Sequence, residues 1–259
     1  MLISVIVSTY NRPDALSLVL QSLNQQTDTN FEIIVADDGS KNDTKQLVGS
    51  FKSIGFQPLT HVWHEDTGFR LAAIRNLAAT YCTGEYFIFL DGDCVVQPDF
   101  IARHRCLSEN NHMVTGSRVL LNKAFTAALI QKNVWDFSLF KQRLLIKRLT
   151  GSINKFLAFH FKFCHSSIRY YQGFKWRGIK GCNFACWRSD YEQVKGYDES
   201  FEGWGHEDAD MVFRLHCLGV KRKSGSFATE VLHLYHPENN RSKAEFNKSK
   251  LLQRIANVS

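Results

Sequence analysis

No apolar run in the 259-residue chain approaches the roughly 20 residues that cross a bilayer. The opening apolar stretch, residues 2–7, is too short for a secretory leader and has no basic flank. The seven cysteines are scattered and odd in number, so a disulfide framework is not expected, and free thiols suit a reducing compartment. Cys182 and Cys186 lack the second pair that a zinc site needs. A cytoplasmic protein is expected, with the inner face of the membrane as a peripheral station. Neither Gly-x-Gly-x-x-Gly after the first strand nor Gly-x-x-x-x-Gly-Lys-Ser/Thr occurs, which argues against dinucleotide and P-loop sites. Acids are nearly missing from one segment. Residues 118–178 hold twelve Lys and Arg against the single acid Asp136, a local charge of +11 in a chain of +7, so the remainder carries −4. The chain reads as a mildly acidic domain with a strongly basic insert.

What is present is a series of buried-strand patterns that end in polar or acidic loops. Residues 2–7, 31–36 and 87–90 are apolar without alternation, as strands covered on both faces are, and a short strand is expected at 61–64. Helical periodicity opens at Asp14 and recurs over 69–83, and Asn42 and Asp43 are placed to cap a helix between them. Strands alternating with helices predict an α/β fold with a mainly parallel sheet. Ligands of such sheets bind at the carboxyl ends of the strands, so the loops at 8–13, 37–40 and 91–94 should converge on one site.

The strand at 87–90 runs into Asp91-Gly92-Asp93. Carboxylates at the edge of a core need a partner. Two hard oxygen donors with a glycine between them can face a divalent cation carrying a diphosphate, although the same residues also suit a plain Asp-Gly turn. Beyond them, 98–111 reads as helix and 112–120 as extended. The basic insert mixes Phe, Trp and Tyr with Lys and Arg in helical stretches at 125–130, 135–149 and 153–163. That pattern suits an anionic membrane surface or a solvated helical hairpin; for nucleic acid no surrounding module exists. Residues 181–187 are strand-like, and Ser189 to Glu192 resembles a capping signal. Gly203-Trp204-Gly205-His206-Glu207-Asp208 then leads to a helix at 211–218, with Gly219 as its C-terminal cap. Acids before a helix complement its dipole. The two glycines around Trp204 point to a tight loop presenting a flat apolar face, of the kind sugars stack on. A last helix is expected at 242–256.

Taken together and in order, these motifs resemble family-2 glycosyltransferases of the GT-A fold, most closely the chondroitin-polymerase and β-1,4-galactosyltransferase type. The matching stretches are 5–11, 35–40, 68–76, 90–93, 203–208 and 235–237, within 2–116 and 179–240. The insert falls outside the pattern, and His206 stands where the galactosyltransferase type commonly has glycine. The resemblance implies one GT-A domain: a donor half at 1–116, the basic insert at 117–178, and an acceptor and catalytic half at 179–259. It implies inverting transfer from a UDP-sugar to a hydroxyl of a polysaccharide, lipopolysaccharide or lipid-linked acceptor. Asp208 is implied as general base, with Glu207 orienting hydroxyls. Ser8 and Tyr10 are implied near the uracil, Asp38 bonded to it, Arg75 near the nucleotide and Asp91 at the ribose. Asp93 and His236 are implied as ligands of a divalent metal, Mn²⁺ ahead of Mg²⁺, and Asn183 and Trp204 as acceptor contacts. Two other readings stay open. A sugar nucleotidyltransferase would carry a Gly-rich, Arg-containing loop after the first strand. A non-catalytic nucleotide-sugar-binding relative would have lost Asp93, Asp208 or His236.

Overall fold

The computed structural model describes residues 1–258 apart from 56, 162, 165 and 239. Its first strands, β1 (Ile3–Thr9), β2 (Phe31–Asp37), β3 (Leu59–Trp63) and β4 (Tyr86–Asp91), lie parallel in the order β3-β2-β1-β4. All of β1 is buried, and so is β4 up to its terminal Asp91. Helices on both faces account for this. Val5 and Val7 of β1 share a core with Leu16 and Val19 of α1 (Pro13–Asn24) and Val48 of α2 (Asn42–Ile54). Ile6, pointing the other way, shares a core with Ile74 of α3 (Leu71–Ala79). The register sets Ser8 opposite Asp91 and Thr9 opposite Asp37, so the acidic strand ends lie side by side along one edge.

After β5 (Cys94–Val95) and α4 (Phe100–Leu107), the stretch expected to be extended at 112–120 is two strands of different sheets. β6 (His112–Thr115) joins the main sheet, while β7 (Arg118–Leu120) joins a three-stranded sheet with β5 and β10 (Val231–His233). The chain turns at Gly116, where a Cβ would lie 2.1 Å from the Asn183 amide nitrogen. β8 (Asn183–Trp187) lies antiparallel between β4 and β6, and β9 (Lys221–Ser224) completes the seven-stranded order β3-β2-β1-β4-β8-β6-β9.

The insert departs from its expected form. Its helices are α5 (Lys123–Lys132), α6 (Phe137–Lys141) and α7 (Leu144–Leu149), and among the described residues the stretch at 153–163 holds one 3-10 turn, Leu157–Phe159, and no α-helix. Trp135, Phe140 and Phe159 are buried against one another and the main core, so most of the aromatic content builds the insert rather than facing outward. The exposed apolar residues of α7 are aliphatic: Leu145, Ile146 and Leu149 at 56, 53 and 78%. Lys162, part of the basic count, lies outside the described residues. Among the described residues no helix is long and apolar enough to cross a membrane.

Helix starts moved for physical reasons. Asn42 is already helical and Lys41 holds the cap position, while Asp43 accepts only from the neighbouring Thr44 N–H. Ser189 lies inside α8 (Arg188–Gln193), which begins after Trp187 without a side-chain cap. α9 (Glu207–Cys217) starts four residues earlier than its apolar periodicity, because the first turn carries acids rather than core residues. α10 (Ala244–Ala256) closes the chain against α9.

Candidate active site

Two adjoining clefts open at the carboxyl edge of the sheet. One, of about 510 Å³, is lined by Ser8, Tyr10, Asp38, Asp91, Asp93 and His236. The other, of about 640 Å³, is lined by Arg75, Trp204, Glu207 and Asp208, and it too reaches Asp91 and His236. Of the expected donor residues, Ser8, Tyr10, Asp38 and Asp91 thus line the first cleft but Arg75 the second, where Trp204, Glu207 and Asp208 also stand; Asp91 and His236 are common to both. A hollow of about 680 Å³ beside β9, near Tyr171 and Arg222, holds none of them.

On the donor side the strand ends are pinned by their own acids. Asp37 accepts from the Ser40 N–H at 2.8 Å and pairs with His61 at 2.9 Å. Asp38 is 4% exposed, pairs with His64 at 2.6 Å and accepts the Arg70 N–H at 3.0 Å. Burial raises its carboxyl above the usual range, against the pull of His64 and the Arg70 N–H. Tyr10 is half exposed and donates to Asp66 at 2.9 Å.

Arg75 on α3 is buried under the shared wall rather than open to the donor cleft. Its Nη1 donates to Asp208 Oδ1 at 2.8 Å, its Nη2 to Asp91 Oδ1 at 3.0 Å, and its Nε to Ser8 Oγ at 3.2 Å. One guanidinium therefore fixes an acid from each cleft. Burial pushes the Asp91 carboxyl up to about 6, with Arg75 opposing and Asp93 and Asp208 adding to the rise. Glu207, 6% exposed, is pushed up to about 8 by burial and by Asp208, and its Oε2 is buried without a partner.

The backbone makes room for these acids. A Cβ on Gly181, just before β8, would fall 1.7 Å from Asp208 Oδ2, so only glycine fits there. His206 precedes α9 with φ of +72°, in the left-handed region that favours glycine. That geometry explains why glycine suits this position, and it holds the His206 ring edge-on to Trp176 at 5.7 Å. Trp204 is 37% exposed at the cleft wall, with the Arg241 guanidinium 4.5 Å from its ring centre. Asn183 does not reach the cleft. It is fully buried, and its amide is taken up by the Thr229 carbonyl and the His104 ring. It braces the junction of β8 with the turn at Gly116, and the acceptor role expected of it is withdrawn.

Asp93 meets two imidazoles, His236 Nε2 at 3.3 Å and His233 Nε2 at 3.8 Å. Asp93, Cys94 and His233 present donor atoms within 4.8 Å of one another. Burial holds His233 below its usual value, hence neutral with a free lone pair, and raises the Cys94 thiol well above its own. The donor set that fits a divalent ion is thus one carboxylate and two imidazoles, with the thiol as backing. His233 and Gly181 were missed in the sequence. The signal for His233 was a second histidine three residues before His236; for Gly181 there was only a glycine ahead of a strand.

Comparison with known proteins follows these features. The model of glycosyl transferase family 2 matches residues 4–172, and that of the N-terminal domain of galactosyltransferase matches 160–237, so the two spans run across the basic insert. Validoxylamine A glucosyltransferase of Streptomyces hygroscopicus subsp. jinggangensis is 28% identical, over 85% of this chain and 52% of its own length. Chondroitin synthase of Escherichia coli is 28% identical, over 91% of this chain and 34% of its own length. The chain thus spans about half or less of these relatives. Among solved structures, S. aureus TarS 1-349 in complex with UDP-GlcNAc superposes with a TM-score of 0.65 at 17% identity, over 100% of this chain and 66% of that one. The Pyrobaculum calidifontis mannosyltransferase PcManGT in complex with GDP-Man and Mn²⁺ gives 0.61 at 17% identity, over 96% and 61%. Those likenesses establish the GT-A fold.

Proposed function

The chain belongs to glycosyl transferase family 2, and we propose that it moves a sugar from a UDP-sugar to a hydroxyl of a glycan, with inversion and with a divalent metal. The observation that carries this reading is the wall between the clefts: Asp93 lines the donor side, Asp208 the acceptor side, and Asp91 and His236 both. Ser8, Tyr10 and Asp38 hold the nucleoside and Asp91 a ribose hydroxyl. Asp93, His233 and His236 would hold the metal, and a mixed carboxylate and imidazole shell suits Mn²⁺. When bound, that ion supplies Lewis-acid stabilisation of the departing diphosphate.

Asp208 is the base. Its Oδ1 stays on Arg75, and Oδ2 takes the proton of the acceptor hydroxyl. Glu207, whose carboxyl is pushed up to about 8 by burial and by Asp208, lines the cleft beside the base and orients a sugar hydroxyl. A single displacement with one base inverts the sugar carbon. A nucleotidyltransferase gains no support, because the first strand leads into Ser8 to Asn11, which holds neither glycine nor arginine. The same reading extends to a peripheral station on an anionic membrane, where the exposed Leu145, Ile146 and Leu149 of α7 insert beside Lys147 and Arg148.

UDP release from a UDP-sugar and acceptor panel tests the reading. Turnover should vanish with EDTA and return with Mn²⁺, and Asp93→Ala should lose both turnover and metal-dependent UDP binding. Full turnover in EDTA would refute the metal.

A further inference from the structure

We propose that the acceptor cleft carries an anion subsite, so that the preferred acceptor is a glycan bearing a carboxylate or phosphate group near the attacking hydroxyl. This rests on the transferase reading above and names the class of acceptor.

The cleft is lined by Arg118, Arg177, Lys180 and Arg241. Arg241 is occupied: it pairs with Glu238 at 3.1 Å and covers the Trp204 ring. Among the described residues, Arg118, Arg177 and Lys180 have no acidic partner within ion-pair distance. Lys155 joins them from the insert, its Nζ held by Ser117 Oγ at 3.0 Å next to Arg118 in the chain. Arg118 and Lys180 line the same cleft, and the Lys180 ammonium is lowered by burial first and then by the charges of Arg118 and Lys155. Of the acids in the same lining, Asp91 and Asp208 are tied to Arg75 and Glu238 to Arg241, so the remaining cations repel one another and a bound anion relieves that repulsion.

The cleft has the other parts of a glycan site as well. Trp176, Trp204 and Glu207 stand in its lining. A sugar ring against a tryptophan, with its anionic group on Lys180 and Lys155 adding charge from behind the lining, would bring a hydroxyl towards Asp208. The alternative occupant of these cations is the donor's own diphosphate. Arg118 is the cation nearest that role, since its charge acts on Asp91 and His233. Lys155 and Lys180 do not line the donor cleft, which is why they carry the test.

The probes are one neutral disaccharide, the same disaccharide with a terminal uronate, and the same with a phosphate. Acceptor kcat/KM and UDP-sugar hydrolysis without acceptor are measured side by side. Wild-type protein should favour one or both anionic acceptors by about tenfold or more at low salt, with the advantage shrinking as salt rises. The two anionic arms separate the carboxylate from the phosphate source. Lys155→Gln with Lys180→Gln should bring the anionic acceptor down to the neutral one and leave acceptor-free hydrolysis unchanged; Lys180→Glu should go further in the same direction. Equal use of all three acceptors by the wild type overturns the subsite. So does a double variant that loses hydrolysis and donor affinity, which would assign the cations to the diphosphate. If no UDP-sugar is bound or hydrolysed at all, the donor reading falls separately. Calorimetric binding of the charged and neutral disaccharides, which needs no turnover, then still decides the subsite.

Discussion

The donor and acceptor clefts share a wall but are held together differently. On the donor side Asp37 and Asp38 are bonded to Ser40, His61, His64 and the Arg70 backbone, and the loops rest on parallel strands in fixed register. On the acceptor side, among the described residues, Arg118, Arg177 and Lys180 make no ion pair although Asp91, Glu207, Asp208 and Glu238 line the same cleft, and Glu207 Oε2 is buried without a partner. Polar groups that satisfy one another keep their shape with or without a ligand, whereas unsatisfied ones are completed by it. On the proposed reading the donor cleft is the more fixed half, and acceptor choice is expected to rest on the other.

The sharpest way to separate the halves is Asp208→Asn. The amide keeps the shape but cannot take the proton, so kcat should fall by on the order of 10² to 10⁴. UDP-sugar affinity, a donor-side property, should hold; a near-normal kcat would remove Asp208 as the base. Next in size is Gly181→Ala. The added methyl group would displace the Asp208 carboxylate, and a shift of about 1 Å can cost on the order of 10² in rate. Steady-state kinetics should show the loss in kcat with the donor KM kept. If both parameters stay normal, the close approach does not matter.

A smaller effect belongs to the insert. Replacing Lys141, Arg143, Lys147 and Arg148 with glutamine should weaken sedimentation with anionic vesicles, by about 1 kcal/mol or less per cation, while turnover on a soluble acceptor persists. Wild-type protein that ignores anionic vesicles at low salt would end the membrane reading. Smallest is a stability effect at Glu207, whose carboxyl rises from 4.5 to about 8 on folding. The folded protein then binds more protons than the unfolded chain between those values, so this contribution is full below about 4.5 and is lost as pH climbs through about 8. Glu207→Gln does not titrate, so its melting temperature should gain on the wild type between pH 5 and 8.5. Parallel curves would mean that Glu207 is not held protonated.

The same contrast governs what could be read from the chain. The donor half was legible because buried parallel strands give unbroken apolar runs and end where ligands bind; β1, β2 and β4 fell within a residue or two of expectation. The resemblance singled out Asp93, Asp208 and His236, and the structure sets Asp93 3.3 Å from His236 and Asp208 in the adjoining cleft. The acceptor half was harder because its contacts cross large sequence distances. Nothing local marks Asn183 as a brace for Thr229 and His104, or Arg75 as the tie between Asp91 and Asp208. The insert misled through composition. Trp135, Phe140 and Phe159 look like surface anchors in a basic sequence, yet with Leu144 and Ile153 they fill the space under the short helices.

The place of β8 in the sheet has a consequence for synthesis on the ribosome. β4 pairs with β1 on one side, but its other neighbour is β8, where Leu90 meets Asn183. About ninety more residues must be made before that partner exists. At roughly 5–20 residues per second the nascent chain holds an apolar strand with an open edge for roughly 5–20 s, longer than folding of the first four strands requires. Such an edge is a template for pairing with other chains. Pauses in translation between residues 91 and 183 should therefore lower the yield of native protein more than pauses placed after β8.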